Sequence, residues 1–313
     1  MLWDVDYTLV SAGGLGTRLY EVVFLEMFGR DLPAVAPKAG RTDRAIIADT
    51  LAMAGLDAPR DRVDAFLATL ARQVAVADGM NVLVRALPGA SGAIAALAAS
   101  SGDGADSGDA AAGSGSGFRQ SVLTGNIRPL AALKLRQAGL SDHLDLDVGA
   151  YGDVHEVRAE LVPVARLAAS QAYGADFGGW STVLVGDTPL DVEAALAARA
   201  RVVGVATGSY SQEELTAAGA HAVLPDLTDP ARVRAAITGA LPARRGQQAR
   251  SPGPGIGRPA TSAVPRSVDS SDGPAASGAA GRAGPGLAGP GLAGSGRHTG
   301  LVNNIGTSSI LFE

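Results

Sequence analysis

Short apolar runs and segments with helical apolar spacing alternate along much of the first 240 residues. The apolar runs predict strands at 2–6, 120–123, 181–187, 201–207 and 222–226. The helical spacing predicts helices at 16–29, 42–54, 59–77, 88–100, 129–139, 158–173, 189–199, 211–219 and 230–239. From residue 120 onward strands and helices alternate, which favours an α/β fold: a doubly wound, parallel, Rossmann-like sheet.

The predicted elements also divide the chain into regions. Residues 11–87 predict helices only and separate the first strand from the rest of the sheet, so we expect a helical cap inserted into an α/β core of 1–10 and 88–243. Within that core, residues 100–117 are rich in Gly, Ala, Ser and Asp, and they predict a flexible surface insertion.

Composition changes sharply near residue 243. Residues 244–313 are dominated by Gly, Pro, Ala and Ser, with no aromatic residue before Phe312. Such a segment cannot bury enough apolar surface to offset the entropy lost on ordering. The sequence therefore predicts a disordered tail over 244–313.

Charge and residue usage narrow the classes of partner. The chain carries a formal charge of −5, and the tail carries seven Arg against three acids, so residues 1–243 carry −9. An acidic folded part argues against nucleic acid as its partner. There is no Cys, no apolar run of 18 residues and no basic stretch before the first strand. We therefore expect a cytoplasmic protein with no membrane partner and no thiol chemistry.

Oxygen-bearing side chains follow the predicted strands. Asp4 and Asp6 end the first strand, Thr124 ends the second and Asp187 ends the third. Ligands of doubly wound sheets bind at the carboxyl ends of the strands, and residues two apart on extended chain point the same way. Paired carboxylates can act as an ionised nucleophile and a protonated acid, although Asp also simply suits turns.

Three motifs in order resemble those of one enzyme superfamily. DVDYT, LTGN and GDTPLD are similar to the motifs of the haloacid dehalogenase (HAD) superfamily of phosphohydrolases, over roughly residues 1–240. LTGNIRPLAALKLRQAGL and VLVGDTPLDVEAA look most like the phosphoglycolate-phosphatase branch, which has a helical cap. The resemblance implies a Mg²⁺-dependent phosphatase, monomeric or homodimeric, that hydrolyses a small phosphorylated metabolite through an aspartyl-phosphate.

The resemblance also implies roles for particular residues. Asp4 would be the nucleophile, and Asp6 the general acid and base whose backbone carbonyl also binds Mg²⁺. The phosphoryl group would be bound by Thr124, Gly125 and Asn126. The metal would be bound by Asp187, with Asp191 as a further ligand or a supporting partner. We expect the ionised Asp4 to raise the pKa of Asp6, because like charges disfavour ionisation.

The chain departs from the family pattern at two places. Tyr7 stands where the family usually has Gly, and the chain has only two lysines, Lys38 and Lys134. Arg158 opens a helix where the family has its motif Lys, so we expect Arg158 to be the catalytic cation and Lys134 to lie on a solvated helix face. In GRTDRAII, Arg41 is a candidate substrate contact; the alternative is a helix start.

Other interpretations stay open. GGLGTRL, residues 13–19, is similar to the phosphate loop of nucleotidyltransferases, but two acids interrupt the preceding strand, and we interpret its glycines as a hinge into the cap. Asp6 argues against a dehalogenase. A sugar-phosphate mutase of the same fold, or a weakened binding or regulatory protein, remains an alternative because the motifs alone do not separate them.

Overall fold

The structure is a computed structural model that describes residues 1–77, 84–99 and 118–239. The predicted insertion at 100–117 and the predicted tail at 244–313 lie outside the described residues.

A parallel sheet forms the centre of the described core. Its strands are β1 (Leu2–Trp3), β4 (Ser121–Val122), β5 (Val183–Gly186), β6 (Arg201–Val205) and β7 (Ala222–Leu224), while β2 (Val10–Ser11) and β3 (Arg85–Ala86) form a separate pair. The sheet order among the described strands is β4-β1-β5-β6-β7, with every neighbouring pair parallel. The predicted parallel α/β architecture is confirmed.

Side chains leave the strands toward two buried layers. Trp3, Val185 and Val203 pack into one apolar cluster, while Leu184 and Val202 pack into the other. The alternation follows from the two-residue repeat of a strand, and apolar residues on both faces are typical of a sheet covered on both sides. The covering helices are α4 (Ala90–Ala99), α5 (Arg128–Gln137), α6 (Leu161–Tyr173), α7 (Pro189–Ala197), α8 (Gln212–Ala217) and α9 (Pro230–Thr238).

Three further helices lie between β2 and β3: α1 (Leu15–Phe28), α2 (Asp43–Met53) and α3 (Arg60–Ala77). Helix α1 ends at Gly29, whose left-handed conformation lets its N–H donate to the Leu25 carbonyl. Helix α2 begins after Thr42, whose side chain accepts a hydrogen bond from the Ala45 N–H. Tyr20 of α1 packs on Phe66 of α3, with ring centroids 5.5 Å apart.

The prediction that residues 11–87 contain helices only is wrong. Strand β2 pairs antiparallel with β3, with Val10 opposite Ala86. Each strand has two residues, which is too short for an alternating pattern to be visible in the sequence. The pairing places the two connections to the helical segment side by side.

The predicted element boundaries differ from the structure mainly at their ends, where assignments commonly vary by one or two residues. The predicted helix at 158–173 begins with a 3-10 turn over Arg158–Glu160 before α6. No helix in the described ranges is long and apolar enough to cross a membrane.

Candidate active site

The strand ends meet at one cavity. Asp4 follows β1, Thr124 follows β4 by two residues and Asp187 follows β5 directly. All three line a cavity of about 320 Å³, together with Lys38 and Arg41 of the helical segment. The cavity therefore lies where the carboxyl edge of the sheet faces the helical segment.

Arg158 joins two buried carboxylates. Its Nη2 donates to Asp4 Oδ1 at 2.6 Å and to Asp191 Oδ1 at 2.5 Å, and all three side chains are buried. The 3-10 turn before α6 carries Arg158 to this position. Arg158 thus lies beside Asp4, where a cation was expected, while its Nε is buried without a hydrogen-bond partner.

Asp4, Asp187 and Asp191 form an acidic cluster. One carboxylate oxygen from each residue lies within 4.8 Å of those of the other two. Burial raises the pKa of Asp4 to about 7 although Arg158 opposes the rise, and burial together with the charge of Asp4 raises the pKa of Asp187 to about 8. Burial is thus the main reason that these two carboxyl groups ionise less readily than usual, and Arg158 offsets it only in part.

The oxygens of this cluster are not equally free. Asp191 Oδ2 accepts from the Thr188 N–H at 3.1 Å and from Thr188 Oγ1 at 2.7 Å, while its Oδ1 accepts from Arg158. Asp187 Oδ1 accepts from Thr8 Oγ1 at 3.1 Å. A side chain at Gly208 would overlap the Asp187 carboxylate, so Gly208 keeps the surroundings of that group open. Asp4 and Asp187 are therefore the freer oxygen donors.

The prediction that Lys134 lies on a solvated helix face is wrong. Lys134 is buried, and its Nζ donates to both carboxylate oxygens of Asp6 at 2.8 and 2.6 Å and to Asn126 Oδ1 at 2.8 Å. Helix α5 buries the face that carries Leu130, and Lys134 follows one turn later on that face. The sequence therefore contained a signal for its burial.

The expectation that Asp4 raises the pKa of Asp6 is also wrong for this structure. Burial acts to raise the pKa of Asp6, but the charge of Lys134 and the hydrogen bonds from Lys134 and Asn126 lower it below the usual value. Asp4 and Asp6 thus have separate cations, Arg158 and Lys134 respectively.

The loop after β4 contributes hydrogen bonds to Asp6. Asn126 Nδ2 donates to Asp6 Oδ2 at 2.7 Å and to Thr124 Oγ1 at 2.9 Å. At Gly125 a side chain would overlap the backbone carbonyl of Arg41, so Gly permits the close approach of the helical segment. The structure therefore brings Thr124, Gly125 and Asn126 together with Asp6.

Arg41 lines the cavity but is already paired. Its Nη2 donates to Asp49 Oδ2 at 2.6 Å, and its Nη1 donates to the Pro37 carbonyl at 3.0 Å. Thr42 is the N-cap of α2, so the helix-start interpretation of this stretch is observed. Lys38, which the sequence left without a role, lines the same cavity, and burial together with the charge of Lys134 lowers its pKa.

Tyr7 has a backbone conformation that favours Gly. Its φ is +58°, in the left-handed region that bulky residues rarely adopt. Thr207 Oγ1 donates to the Tyr7 carbonyl at 2.6 Å, which helps to hold the turn. The Tyr7 side chain is 58% exposed and lines the cavity rather than filling the space between the acids.

One family model and several solved structures are similar to parts of this chain. Residues 158–230 match the sequence model of a family described as HAD-hydrolase-like. No curated protein matches the chain. Over these residues the match agrees with the resemblance to the HAD superfamily that the motifs predicted.

Solved structures with the same fold include three with low sequence identity. CbbY from Rhodobacter sphaeroides, solved with phosphate, is 19% identical with a TM-score of 0.53, covering 73% of this chain and 94% of its own. A protein from Bacteroides vulgatus predicted to be a beta-phosphoglucomutase is 18% identical with a TM-score of 0.51, covering 77% and 88%. A protein from Bacteroides fragilis predicted to be a haloacid dehalogenase-like hydrolase is 16% identical with a TM-score of 0.50, covering 72% and 96%.

Proposed function

We propose that this chain is a Mg²⁺-dependent phosphatase that hydrolyses a small phosphorylated metabolite through an aspartyl-phosphate on Asp4. One observation carries the proposal. Asp4 and Asp6 follow the same strand, line one cavity, and are held by different cations, Arg158 and Lys134. This separation allows two carboxylates of one type to do different chemical work.

Asp4 is the nucleophile. Burial raises its pKa to about 7, Arg158 opposes that rise, and a divalent cation bound beside it would further favour the ionised form that must attack phosphorus. A new bond forms between an Asp4 oxygen and phosphorus, and the bond from phosphorus to the substrate oxygen breaks. Thr124, which lines the cavity, is a candidate donor to a phosphoryl oxygen.

Asp6 is the general acid and then the general base. Lys134 lowers its pKa, so the acid role needs a change of environment. An anionic phosphoryl group bound in the cavity adds like charge near Asp6 and raises its pKa. Asp6 then gives its proton to the leaving oxygen and, as a carboxylate, takes one from the water that hydrolyses the intermediate.

The acidic cluster fits a divalent cation. Asp4 and Asp187, with the backbone carbonyl of Asp6, would hold Mg²⁺, which prefers hard oxygen ligands. Asp191, engaged by both Arg158 and Thr188, would orient these groups rather than bind directly. When bound, the ion supplies positive charge that lets an anionic nucleophile approach an anionic phosphoryl group.

The helical segment 11–87 is proposed to act as the cap over this cavity. A volume of about 320 Å³ suits a small metabolite rather than a macromolecule. The resemblance to a structure described as a predicted mutase keeps phosphoryl transfer within one sugar phosphate as the alternative. Analysis of products by phosphorus NMR separates the two, because a phosphatase releases inorganic phosphate and a mutase yields an isomer.

The proposal is tested with p-nitrophenyl phosphate and controlled metal. We expect phosphate release with Mg²⁺, none in excess EDTA, and recovery when Mg²⁺ is added back. Asp187→Asn removes a proposed ligand, so it should raise the Mg²⁺ concentration needed for half-maximal activity, by about tenfold or more. Full activity in EDTA, or an unchanged Mg²⁺ requirement in Asp187→Asn, would contradict the metal assignment.

A further inference from the structure

The start of α2 is docked on the loop that follows β4. The Asp43 N–H donates to the Gly125 carbonyl at 2.6 Å, and Asp43 Oδ2 accepts from the Ile127 N–H at 2.7 Å. Asp43 therefore holds the residue before Asn126 and the residue after it. Its side chain is only 5% exposed, so water does not compete for these bonds.

A hydrogen bond from the helical segment also holds the Asp43 side chain. Tyr20 Oη of α1 donates to Asp43 Oδ1 at 2.8 Å, so the carboxylate bridges the helical segment and the core. Neighbouring residues extend the contact: the Arg44 N–H donates to the Gly152 carbonyl at 3.0 Å, and Thr42 Oγ1 donates to the Glu156 carbonyl at 2.8 Å. A side chain at Gly152 would overlap Gly125 and crowd the Asp43 N–H.

Asn126, the residue held between these two bonds, orients Asp6. Its Nδ2 donates to Asp6 Oδ2 at 2.7 Å, and its Oδ1 accepts from Lys134 at 2.8 Å. Movement of the Gly125–Ile127 backbone would therefore displace Asn126, which contacts both Asp6 and Lys134. A shift of about 1 Å in such a group is enough to lower a rate greatly.

We propose that Asp43 is a positioning residue that couples docking of the helical segment to the alignment of Asp6. The coupling runs from Asp43 through the Gly125 and Ile127 backbone to the Asn126 side chain, and from there to Asp6. Its effect on catalysis rests on the proposed function, because it assumes that Asp6 is the general acid. The docking contact itself does not depend on that assumption.

The docking contact is tested by hydrogen–deuterium exchange followed by mass spectrometry. Asp43→Ala should speed exchange in peptides covering 41–45 and 125–130 by about tenfold or more, and leave β5 and β6 unchanged. Asp43→Asn should restore part of the protection, because its amide oxygen can still accept from Ile127. Asp61→Asn, an exposed acid early in α3, is the matched control and should behave as wild type.

The coupling to Asp6 is tested with two substrates of similar size, phenyl phosphate and p-nitrophenyl phosphate. Phenolate is the poorer leaving group and needs more help from an acid. In Asp43→Ala, kcat/KM at saturating Mg²⁺ should fall about tenfold further for phenyl phosphate than for p-nitrophenyl phosphate. Asp43→Asn should show a smaller difference.

The outcomes separate the claims. Unchanged exchange in Asp43→Ala, or an equal increase that includes β5 and β6, overturns the docking role. Equal loss for both substrates overturns the coupling to Asp6 and leaves Asp43 a structural residue. If wild type hydrolyses neither substrate, the proposed function and the coupling both fail, while the exchange experiment still decides the docking contact.

Discussion

At the scale of single residues, each carboxylate of the Asp4–Asp6 pair has its own cation. Arg158 holds Asp4 and Asp191, while Lys134 holds Asp6. Both cations are buried, so their charges are poorly screened and the loss of either leaves acids without compensation.

Replacing Arg158 with Ala should lower both activity and stability. Breaking a buried ion pair costs about 3–5 kcal/mol, and loss of a charge-stabilising group lowers kcat on the order of 10²-fold. Arg158→Lys should recover only part of kcat, because a single ammonium cannot reproduce the guanidinium fork. Denaturant unfolding measures the loss of stability, and steady-state kinetics measure the loss of kcat. Arg72→Ala, which removes an exposed ion pair, is the control. Equal losses of stability and kcat in the two Ala variants would contradict the assignment.

Replacing Lys134 with Ala should also impair catalysis, which reverses the expectation from sequence. The change removes the contacts to both Asp6 oxygens and to Asn126, so Asp6 loses its orientation. We expect kcat to fall by about 10²-fold or more, as for other positioned acid–base groups. Wild-type kcat in Lys134→Ala would show that the buried pair with Asp6 has no part in the reaction.

The sequence predicted the positions of the acids better than the positions of the cations. Asp4, Asp6 and Asp187 follow apolar strands, and parallel strands bring their carboxyl ends together. Lys134 was missed because ten residues separate it from Thr124 along the chain, and a charged residue on a helix is usually exposed. Its position one turn after the buried Leu130 was the available signal.

At the scale of elements, the structure depends on how the start of α2 meets the β4–α5 loop. The sequence predicted both helices, yet it gave no sign that their ends touch, because contacts between backbone groups leave little trace in side-chain patterns. The β2–β3 pair was missed for a related reason, since two-residue strands have no periodicity.

Gly125→Ala should weaken the contact between the start of α2 and the β4–α5 loop. The added methyl group would overlap the Arg41 carbonyl, so the helical segment must shift away from the loop. We expect a lower Tm and faster exchange in peptides covering 41–45. Gly92→Ala, on the exposed face of α4, has room for the methyl group and should keep or raise Tm; similar Tm values for the two variants would argue against the close contact.

The buried carboxylate at the start of α2 should also make stability depend on pH. Burial raises the pKa of Asp43 from 3.8 to about 6, although the bonds from Tyr20 and Ile127 oppose the rise. The folded state thus binds this proton more tightly than the unfolded state, so its contribution is fully present below about pH 3.8 and is lost as pH rises through about 6.

Thermal unfolding of wild type and Asp43→Asn across this range measures the effect. Asn cannot titrate, so the Tm of wild type relative to Asp43→Asn should fall as pH rises from about 4 to about 7, over the window between the two pKa values. A difference in Tm that is constant with pH, or that grows in favour of wild type, would contradict the buried position of this carboxyl group.

At the scale of the whole molecule, the sequence correctly predicted a parallel sheet with polar residues at the carboxyl ends of its strands. Strong apolar runs such as β5 and β6 are buried on both faces, and such runs carry most of the information about a parallel sheet. The division into core, cap and tail stays a prediction, and the segment 244–313 lies outside the described residues.

Deleting residues 244–313 should leave Tm and kcat close to those of the full chain. The reason is composition: a segment rich in Gly, Pro, Ala and Ser offers little apolar surface to bury. Calorimetry and p-nitrophenyl phosphate kinetics on both chains make the comparison. A loss of stability above about 1 kcal/mol would indicate that the segment packs on the rest of the protein.

The central claim is that Asp4 carries the phosphoryl group, and acid-quenched intact-mass spectrometry tests it most directly. After mixing with p-nitrophenyl phosphate and Mg²⁺, Asp6→Asn should accumulate an adduct of ~80 Da, one phosphoryl group in place of a proton, because its second half-reaction lacks a base. The adduct should be absent from Asp4→Asn, which should also release no phosphate. Turnover by Asp4→Asn, or the same adduct on that variant, would contradict the account.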